Sequence, residues 1–544
     1  TNPCYPLPAP RGMKRTREGN GTASVASQRG RSSASSLSDD PPASPLTVRS
    51  SSNATNELFC LNGDIDVATH GCGGGGSDVI QSTAPVVSSG ANMVDGESLL
   101  ARELSTLSVQ DRENVYEDIH GVRQPTEETE SLKRTCLQRL ETALKSIPLF
   151  SVKESTSADQ QQGWQNQTNS ARAPTYSNEM KRSYGMAAFL VPRITSDEHL
   201  RLVILRASHW NIKKSVAMLL KYFRVKERLF GKEKYLRPIT FSDLQDDAQD
   251  SLKSGAILFH DANSGLSRRS IIVDVYQKWN FQSTLSHAQA YWYMSYVVNR
   301  SLRAQREGVV VVSYTLGATI AHLSKALELA KLGFADAMPI RVAGIHLCTS
   351  DSRLKSLLGL VMAALPGDVR LRSKLHCGSP IECNYELLAY GIPSHALPMD
   401  EFGTFVDGSN ASSFAIDNTI ACCLERDEEV LKLFYGEKID PATKICTATS
   451  PPRQNDVLFG RGRSYQEFPG NKRFIDLLRA SKSAYDQMKK NEKTQMTIRL
   501  VNDIKASGVR FMKRDGKDWW EEVDDSVARQ RVAMSFRNLS RDMN

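Results

Sequence analysis

Four short segments stand out as candidate strands in this 544-residue chain, and stretches of helical length separate them. They are Ile271-Ile272-Val273-Asp274-Val275, Gly308-Val309-Val310-Val311-Val312, Arg341-Val342-Ala343-Gly344-Ile345-His346-Leu347 and Arg372-Ser373-Lys374-Leu375-His376. Runs of this length and spacing are typical of a mostly parallel β-sheet that helices cover. The pattern therefore predicts an α/β fold.

Helical periodicity precedes these runs. Apolar positions between residues 97 and 121 predict helices that break near Ser108, and residues 129–147 repeat the same period. A further helix is expected from Ser196-Asp197-Glu198-His199, a good N-cap with early acidic residues, and another after Asn211 that ends near Gly231. We expect the helices before residue 150 to pack in front of the sheet.

The helix expected over residues 351–365 is apolar on nearly every side in its second half. A helix of this kind is either buried on two faces or in contact with a membrane. Plain burial in a core stays open as the alternative. Pro366-Gly367-Asp368 then supplies a turn that ends the helix and is suited to act as a hinge.

The net charge of +8 is concentrated at one end of the chain. From residue 451 onward there are 20 Lys and Arg against 13 Asp and Glu, a surplus of 7. The first 95 residues, in contrast, are rich in Ser, Gly, Pro, Asn and Thr. We expect them to be disordered, because such a composition cannot bury enough apolar surface to fold.

Cysteine usage and hydropathy bear on location. The ten cysteines form no Cys-x-x-Cys pair and no cluster with zinc-ligand spacing, so a reducing compartment is the simplest expectation. No apolar run approaches the roughly 18 to 20 residues that a spanning helix needs. The expectation is a soluble, cytoplasmic protein, with nuclear or peripheral membrane association as further options.

The order of elements resembles the CRAL-TRIO lipid-binding family. The likeness extends over residues 205–398 and rests on four segments. These are Leu205-Arg206-Ala207-Ser208-His209-Trp210-Asn211-Ile212-Lys213-Lys214-Ser215, Met338-Pro339-Ile340-Arg341 leading to His346, residues 371–379, and Gly391-Ile392-Pro393-Ser394-His395-Ala396-Leu397-Pro398. The resemblance implies a lipid or other hydrophobic ligand between the sheet and a movable gate helix at residues 351–365.

The resemblance also implies a set of ligand-binding side chains, which are Lys374, His346, Tyr314, Leu357, Leu358, Val361 and Met362. Lys374 matches the lysine that contacts the headgroup in the family's phosphatidylinositol transfer proteins. The chain departs from those proteins at Ile340 and Tyr314, where they carry acidic residues, and at Ser267-Arg268-Arg269-Ser270, where they have a Gly-Arg-Pro turn. A Lys374 that points into water at the strand end stays open as the alternative.

Catalytic chemistry is not expected. His346 and His376 lie on predicted strands, but no Gly-x-Ser-x-Gly motif and no metal spacing accompanies them. Core or pocket-lining histidines are the simpler interpretation. The prediction is therefore no enzyme, no cofactor and no metal.

The C-terminal segment carries sequence motifs that differ from those of the preceding domain. It carries Gly460-Arg461-Gly462-Arg463, Pro469-Gly470-Asn471-Lys472-Arg473, Arg510-Phe511 and Trp520, and it resembles a small domain of unknown function that is widespread in diatom proteins. Glycines around an arginine can turn backbone N–H groups toward an anion. The predicted anion-binding residues are Gly460, Arg461, Gly462, Arg463, Lys472 and Arg473. A compact interaction module with a solvated basic face is the alternative.

Together these features predict six segments. They are a disordered tail (1–95), a helical front segment (96–150), a linker (151–180), a CRAL-TRIO domain (181–405), a connecting segment (406–452) and a basic α+β C-terminal domain (453–544). The leading hypothesis is non-enzymatic binding of a lipid or other hydrophobic ligand, with peripheral membrane contact. The alternatives are a nuclear regulator whose basic domain binds nucleic acid or another anionic partner, and a protein scaffold.

Overall fold

The structure is a computed structural model, and it describes residues 96–147, 176–265, 267–315, 318–331, 334–397, 400, 410–439 and 446–542. All of them belong to one unit, Ser88–Asn544. The predicted disordered tail and most of the predicted linker lie outside the described residues.

A mixed five-stranded sheet forms the centre of the fold. In spatial order its strands are β1 (Ile257–His260), β2 (Ser270–Val275), β3 (Val309–Tyr314), β4 (Val342–Thr349) and β5 (Ser373–Cys377). Strands β2 to β5 are parallel, which confirms the four predicted runs, while β1 pairs antiparallel with β2. The edge strand β1 was not predicted, since no helix-length segment separates it from β2.

Eight helices precede the sheet in the described part of the chain. They are α1 (Gly96–Thr106), α2 (Val109–His120), α3 (Glu130–Lys145), α4 (Asn178–Leu190), α5 (Pro192–Thr195), α6 (Glu198–Ala207), α7 (Ile212–Lys234) and α8 (Asp246–Lys253). The predicted break at Ser108 is confirmed, because its hydroxyl caps α2 by accepting from Asp111 N. Asp197 likewise caps α6. Gly231, at φ 77°, interrupts α7 near its end.

Helices also connect the strands and follow the sheet. They are α9 (Thr284–Val298), α10 (Leu302–Glu307), α11 (Ile320–Lys331), α12 (Ser352–Ala364), α13 (Gly367–Arg370), α14 (Pro380–Ala389) and α15 (Asn410–Tyr435). Helix α12 occupies the predicted gate-helix position between β4 and β5. Helix α15 lies within the segment predicted only to connect, and it packs against β1.

The C-terminal part has its own three-stranded sheet. Its elements are β6 (Val457–Phe459), α16 (Arg463–Glu467), α17 (Pro469–Gln487), α18 (Lys490–Ala506), β7 (Phe511–Arg514), β8 (Trp520–Glu522) and α19 (Asp525–Asp542). Strand β7 pairs parallel with β6 and antiparallel with β8. Phe474, Leu478, Phe511 and Phe536 are buried in its core, so the predicted α+β character of this segment is confirmed.

The two faces of the large sheet bury different layers, because alternate side chains of a strand point to opposite faces. On β2, Ile271, Val273 and Val275 join a cluster that includes Leu387 of α14. Ile272 joins the main core with α7 and α9. A third cluster lies beneath α11 and α12, and its buried members are Tyr276, Leu323, Leu347, Leu354, Leu358 and Met362.

Candidate functional site

A cavity of about 920 Å³ lies beside the edge strand β1. Helices α5, α6, α7, α9, α10 and α15 contribute to its wall together with β1. Its apolar lining includes Ile194, Val203, Ile239, Phe259, Val297 and Leu433. The volume falls in the range of about 300 to 1,000 Å³ that is usual for small-molecule pockets.

Lys226 brings a buried positive charge to this wall. It lies on the inner face of α7, is only 3% exposed, and donates from Nζ to the carbonyl oxygen of Arg237 at 2.8 Å. No carboxylate of the described residues forms an ion pair with it. Burial, followed by the charges of Arg426 and Arg237, lowers the pKa of Lys226 to about 7.

Arg426 of α15 lies on the same wall. Its guanidinium carbon is 4.8 Å from the centre of the Tyr296 ring, and Nη1 donates to Asp427 at 2.9 Å and to the carbonyl of Ile239. The hydroxyls of Tyr222 and Tyr296 lie 3.0 Å apart beside it. Burial raises the pKa of Tyr222 well above its ordinary value, so this hydroxyl stays protonated.

Arg193 connects the cavity to the C-terminal part of the chain. Its guanidinium carbon lies 3.4 Å from the centre of the Trp519 ring and 5.0 Å from that of Phe434. Its Nε is buried and has no hydrogen-bond partner among the described residues. Nearby, Trp520 donates from Nε1 to the carbonyl of Leu190 at 2.7 Å. The C-terminal part is therefore docked onto α4 and α5, one of which lines the cavity.

The combination of an apolar wall with buried cationic and hydroxyl groups suits a molecule that has an apolar body and a polar end. Burial of the body is favourable in proportion to its apolar area. The polar end needs partners, because a polar group buried without them is costly.

The residues predicted to bind ligand lie elsewhere, and none of the seven lines this cavity. Leu358 and Met362 of α12 are buried in the cluster beneath that helix, whereas Leu357 and Val361 are partly buried. The chain's own side chains fill that cluster, with Leu323 and Leu347 among the buried neighbours of α12.

The strand residues His346, Lys374 and Tyr314 lie near one another on the sheet. His346 is in register with Lys374, which is half-buried. His346 Nδ1 is 2.9 Å from His376 Nε2, and His376 in turn contacts the carboxylate of Glu386. Burial lowers the pKa of His346 strongly, so it stays neutral.

Tyr314 is buried, and its hydroxyl donates a hydrogen bond to Asn384 Oδ1 of α14. It faces the cluster that includes Cys348 and Cys383, which is distinct from the cluster beneath α12. The predicted ligand-binding set is therefore divided between two layers of the fold.

The predicted anion-binding residues lie at the end of β6 and the start of α17. Arg461, Arg463, Lys472 and Arg473 are all exposed. Arg463 pairs with Glu467 at 2.5 Å, and Arg473 donates to the carbonyl of Gln454 at 3.0 Å. Neither Arg461 nor Lys472 has a partner among the described residues.

Each glycine of this region is required for a different conformational or steric reason. Gly462 adopts φ 103°, as the sequence predicted for a loop that turns its backbone. Gly460 does not adopt a positive φ, but a Cβ there would overlap the ring of Tyr465. A Cβ at Gly470 would overlap the carbonyl oxygen of Asp456. Asn471 holds the strand end, since its amide bonds both N and O of Leu458.

The comparison with protein families bears on this region. Residues 456–538 match a domain of unknown function, DUF6824. This match supports the C-terminal resemblance, and the Gly-Arg-Gly, Pro-Gly-Asn and Trp520 motifs all lie inside the DUF6824 segment. No curated protein matches the chain. The CRAL-TRIO assignment of residues 181–405 stays a prediction.

No group of three or more His, Cys, Asp or Glu side chains among the described residues could hold a metal ion. No helix of this part of the chain is both long and apolar enough to span a membrane.

Sequence reasoning missed Lys226, Arg426 and Arg193. A signal for Lys226 was present, because Leu219, Tyr222, Phe223, Lys226 and Phe230 follow the helical repeat of one buried face. A lysine on such a face is unusual and points to a special environment. No comparable signal marks Arg426, whose burial depends on how α15 packs.

Proposed function

We propose that this chain binds a lipid or another small hydrophobic molecule without transforming it, and that the ligand occupies the cavity beside β1. The observation that supports this most is the cavity itself, which combines about 920 Å³ of space, an apolar wall and buried cationic groups. A site with these properties is the default ligand-binding site of a protein.

The proposal includes a CRAL-TRIO-like arrangement of residues 181–405. The parallel order of β2 to β5, with α12 between the last two strands, is consistent with it. We place the ligand beside β1 and not beneath α12, because Leu354, Leu358 and Met362 are buried in a side-chain cluster beneath that helix, whereas the space beside β1 is open to a ligand. Phosphatidylinositol stays one candidate ligand, and exchange with a membrane would follow from differential affinity for open and closed states.

Native mass spectrometry of the purified full chain, followed by vesicle extraction with delipidated protein, tests this function. Val203→Trp fills the cavity from α6 and is expected to abolish binding, whereas Val109→Trp alters a position that is 74% exposed and should bind normally. Leu357→Ala discriminates between sites, because Leu357 packs against the cluster beneath α12 and its loss lowers affinity only if the ligand lies there. Failure of the wild-type chain to retain or extract any lipid would refute the proposal.

A second function, polyanion binding by the DUF6824 segment, is favoured by Arg461 and Lys472, which are exposed and have no partner within the described part of the chain. Phosphate contacts make such binding strongly dependent on salt. In the full chain, the double change Arg461→Gln with Lys472→Gln should weaken binding to duplex DNA and reduce its salt dependence. Arg499→Gln, at an exposed position of α18, is the matched control. Equal binding by all variants would argue against this second function.

A further inference from the structure

We infer that the polar end of the ligand is an anion, a carboxylate or a phosphate on an apolar tail, and that Lys226 and Arg426 hold it inside the cavity beside β1. This inference rests on the proposed function and names the chemical class of its ligand.

The charges around Lys226 do not cancel. Arg237 is paired with Asp243, whose carboxylate it contacts through two nitrogens, and Arg426 is paired with Asp427. Asp243 also pairs with Lys234 at 3.3 Å. Asp197, Asp261 and Glu429 line the cavity as well, together with Arg193 and Arg300, but the charges that act on Lys226 are those of Arg426, Arg237 and Asp243. Lys226 is left as one buried ammonium with a carbonyl oxygen as its hydrogen-bond partner. A buried charge of this kind favours an opposite charge close to it.

Arg426 can bind an anion in addition to its ion pair with Asp427. The carboxylate of Asp427 also accepts from Tyr293 Oη at 3.0 Å and from the backbone nitrogen of Phe241 at 2.6 Å. Its charge is therefore shared among several donors. A guanidinium carries five N–H donors in a fixed plane, which leaves Arg426 donors beyond the two contacts of Nη1.

The tyrosine pair adds a neutral donor at the same place. Trp292 donates from Nε1 to the hydroxyl of Tyr296 at 2.7 Å, and the hydroxyls of Tyr222 and Tyr296 lie 3.0 Å apart. One of these two hydroxyls donates to the other, so one O–H of the pair has no acceptor among the described residues. Both residues line the cavity, and an anionic oxygen would complete this chain of hydrogen bonds.

The competing explanation is that Lys226 is simply a neutral amine in the free protein. Burial lowers its pKa to about 7, and the groups that face it are Arg426 from α15, Arg237 and Asp243 from the segment after α7, and the Tyr222 ring. The two explanations predict different numbers of protons taken up when the ligand binds. An anion that binds Lys226 stabilises the ammonium, so above pH 7 its binding takes up a proton and its affinity falls as the pH rises. A neutral ligand takes up none.

Calorimetric titration of the delipidated full chain with dodecyl phosphate, dodecanoate and dodecanol tests the inference. We expect both anions, or one of them, to bind more tightly than dodecanol by about tenfold or more, which is the value of one charge-assisted hydrogen bond. Lys226→Met should remove that advantage, so that the anions and dodecanol bind the variant about equally. Lys213→Met changes an exposed lysine of the same helix and should have no effect. The two anions distinguish a carboxylate from a phosphate source.

The outcomes separate the inference from the function on which it rests. If no probe binds, the proposed function fails. If dodecanol binds as tightly as both anions and Lys226→Met changes nothing, the function stands and the inference is overturned. If Lys226→Met does not fold, the wild-type chain decides the matter through titrations in two buffers of different ionisation enthalpy above pH 7. Proton uptake with the anions supports the inference, and its absence overturns it.

Discussion

The guanidinium of Arg193 lies face-on to the indole ring of Trp519, with 3.4 Å between the guanidinium carbon and the ring centre. Arg193 lines the cavity beside β1, and Trp519 belongs to the DUF6824 segment. One contact therefore joins the wall of the candidate ligand site to a domain that has no assigned activity. Arg193 belongs both to the cavity wall and to the contact with the C-terminal segment.

We expect Arg193 and Trp519 to be energetically coupled. A double-mutant cycle with Arg193→Ala and Trp519→Ala, measured by urea unfolding, should give a coupling free energy of about 0.5–2 kcal/mol, the value of a cation–π contact. Arg228→Ala, at an exposed position of α7, serves as the control for arginine removal and should show no coupling to Trp519. Strict additivity between Arg193 and Trp519 would contradict the contact.

Asp118 of α2 attaches the front helices to the sheet. It is 2% exposed and pairs with Arg123 at 2.9 Å, Arg341 at 2.6 Å and Arg372 at 2.8 Å. Asp118→Asn leaves these arginines without their counter-ion, so the free energy of unfolding should fall by about 3–5 kcal/mol. Asp111→Asn, which alters an exposed carboxylate of the same helix, should cost under about 1 kcal/mol by the same denaturation measurement.

Asp274 of β2 is expected to make stability depend on pH. It accepts from Trp279 Nε1 and Tyr291 Oη, both at 2.6 Å, but burial dominates and raises its pKa to about 7. A raised carboxyl pKa means that the folded state binds the extra proton, so this stability is fully present below the unfolded pKa of about 4 and is lost as the pH rises to about 7.

The measurement is urea unfolding of the wild-type chain and of Asp274→Asn across this interval. The wild type should lose up to about 1.4 kcal/mol per pH unit more than the variant, which cannot titrate at this position. Parallel pH profiles for the two proteins would show that Asp274 has an ordinary pKa.

Helix α1 packs against α12, and its Glu103 forms an ion pair with Arg370 of α13, with 2.9 Å between Arg370 Nε and Glu103 Oε2. Arg370 also donates to the carbonyls of Ala363 and Leu365 at the end of α12. We expect Glu103→Gln to release α1 and to speed amide hydrogen exchange in both helices. The loss of stability should be only about 0.2–1 kcal/mol, because the pair is partly exposed. Glu113→Gln in α2 is the control, and equal exchange in the two variants would exclude this role.

Gly470 is expected to be indispensable to the DUF6824 segment. A Cβ at this position overlaps the carbonyl oxygen of Asp456, whose carboxylate holds Arg510 at 2.6 Å. Gly470→Ala should therefore lower the melting temperature and cost about 1–3 kcal/mol. Gly516→Ala meets no atom within 4 Å and should be nearly neutral. Similar melting temperatures for the two variants would contradict the steric argument.

Local rules predicted much of the secondary structure. The strands β2 to β4 were found from runs rich in Val and Ile, because a parallel sheet that is buried on both faces favours such residues. Strand β5, which contains Lys374 and His376, was found from its spacing after the other strands. The start of α6 was found from Ser196-Asp197-Glu198-His199, since a cap satisfies backbone groups only one turn away. The break before α2 was found from the apolar pattern, and the structure adds that Ser108 caps that helix. Gly460, Gly470 and Asn471 were recognised as a motif, but the contacts that require them became clear only from Tyr465, Asp456 and Leu458.

The amino-acid sequence by itself thus determined the α/β class, the order of the main strands and the distinct basic C-terminal domain, because each depends on residues close together in the chain. The tertiary structure alone decided where the cavity lies. Tyr222 meets Tyr296, and Arg426 meets Ile239, only after α7, α9 and α15 pack around β1. Charges and voids of this kind arise from residues far apart in sequence, and no local periodicity encodes which of them become neighbours.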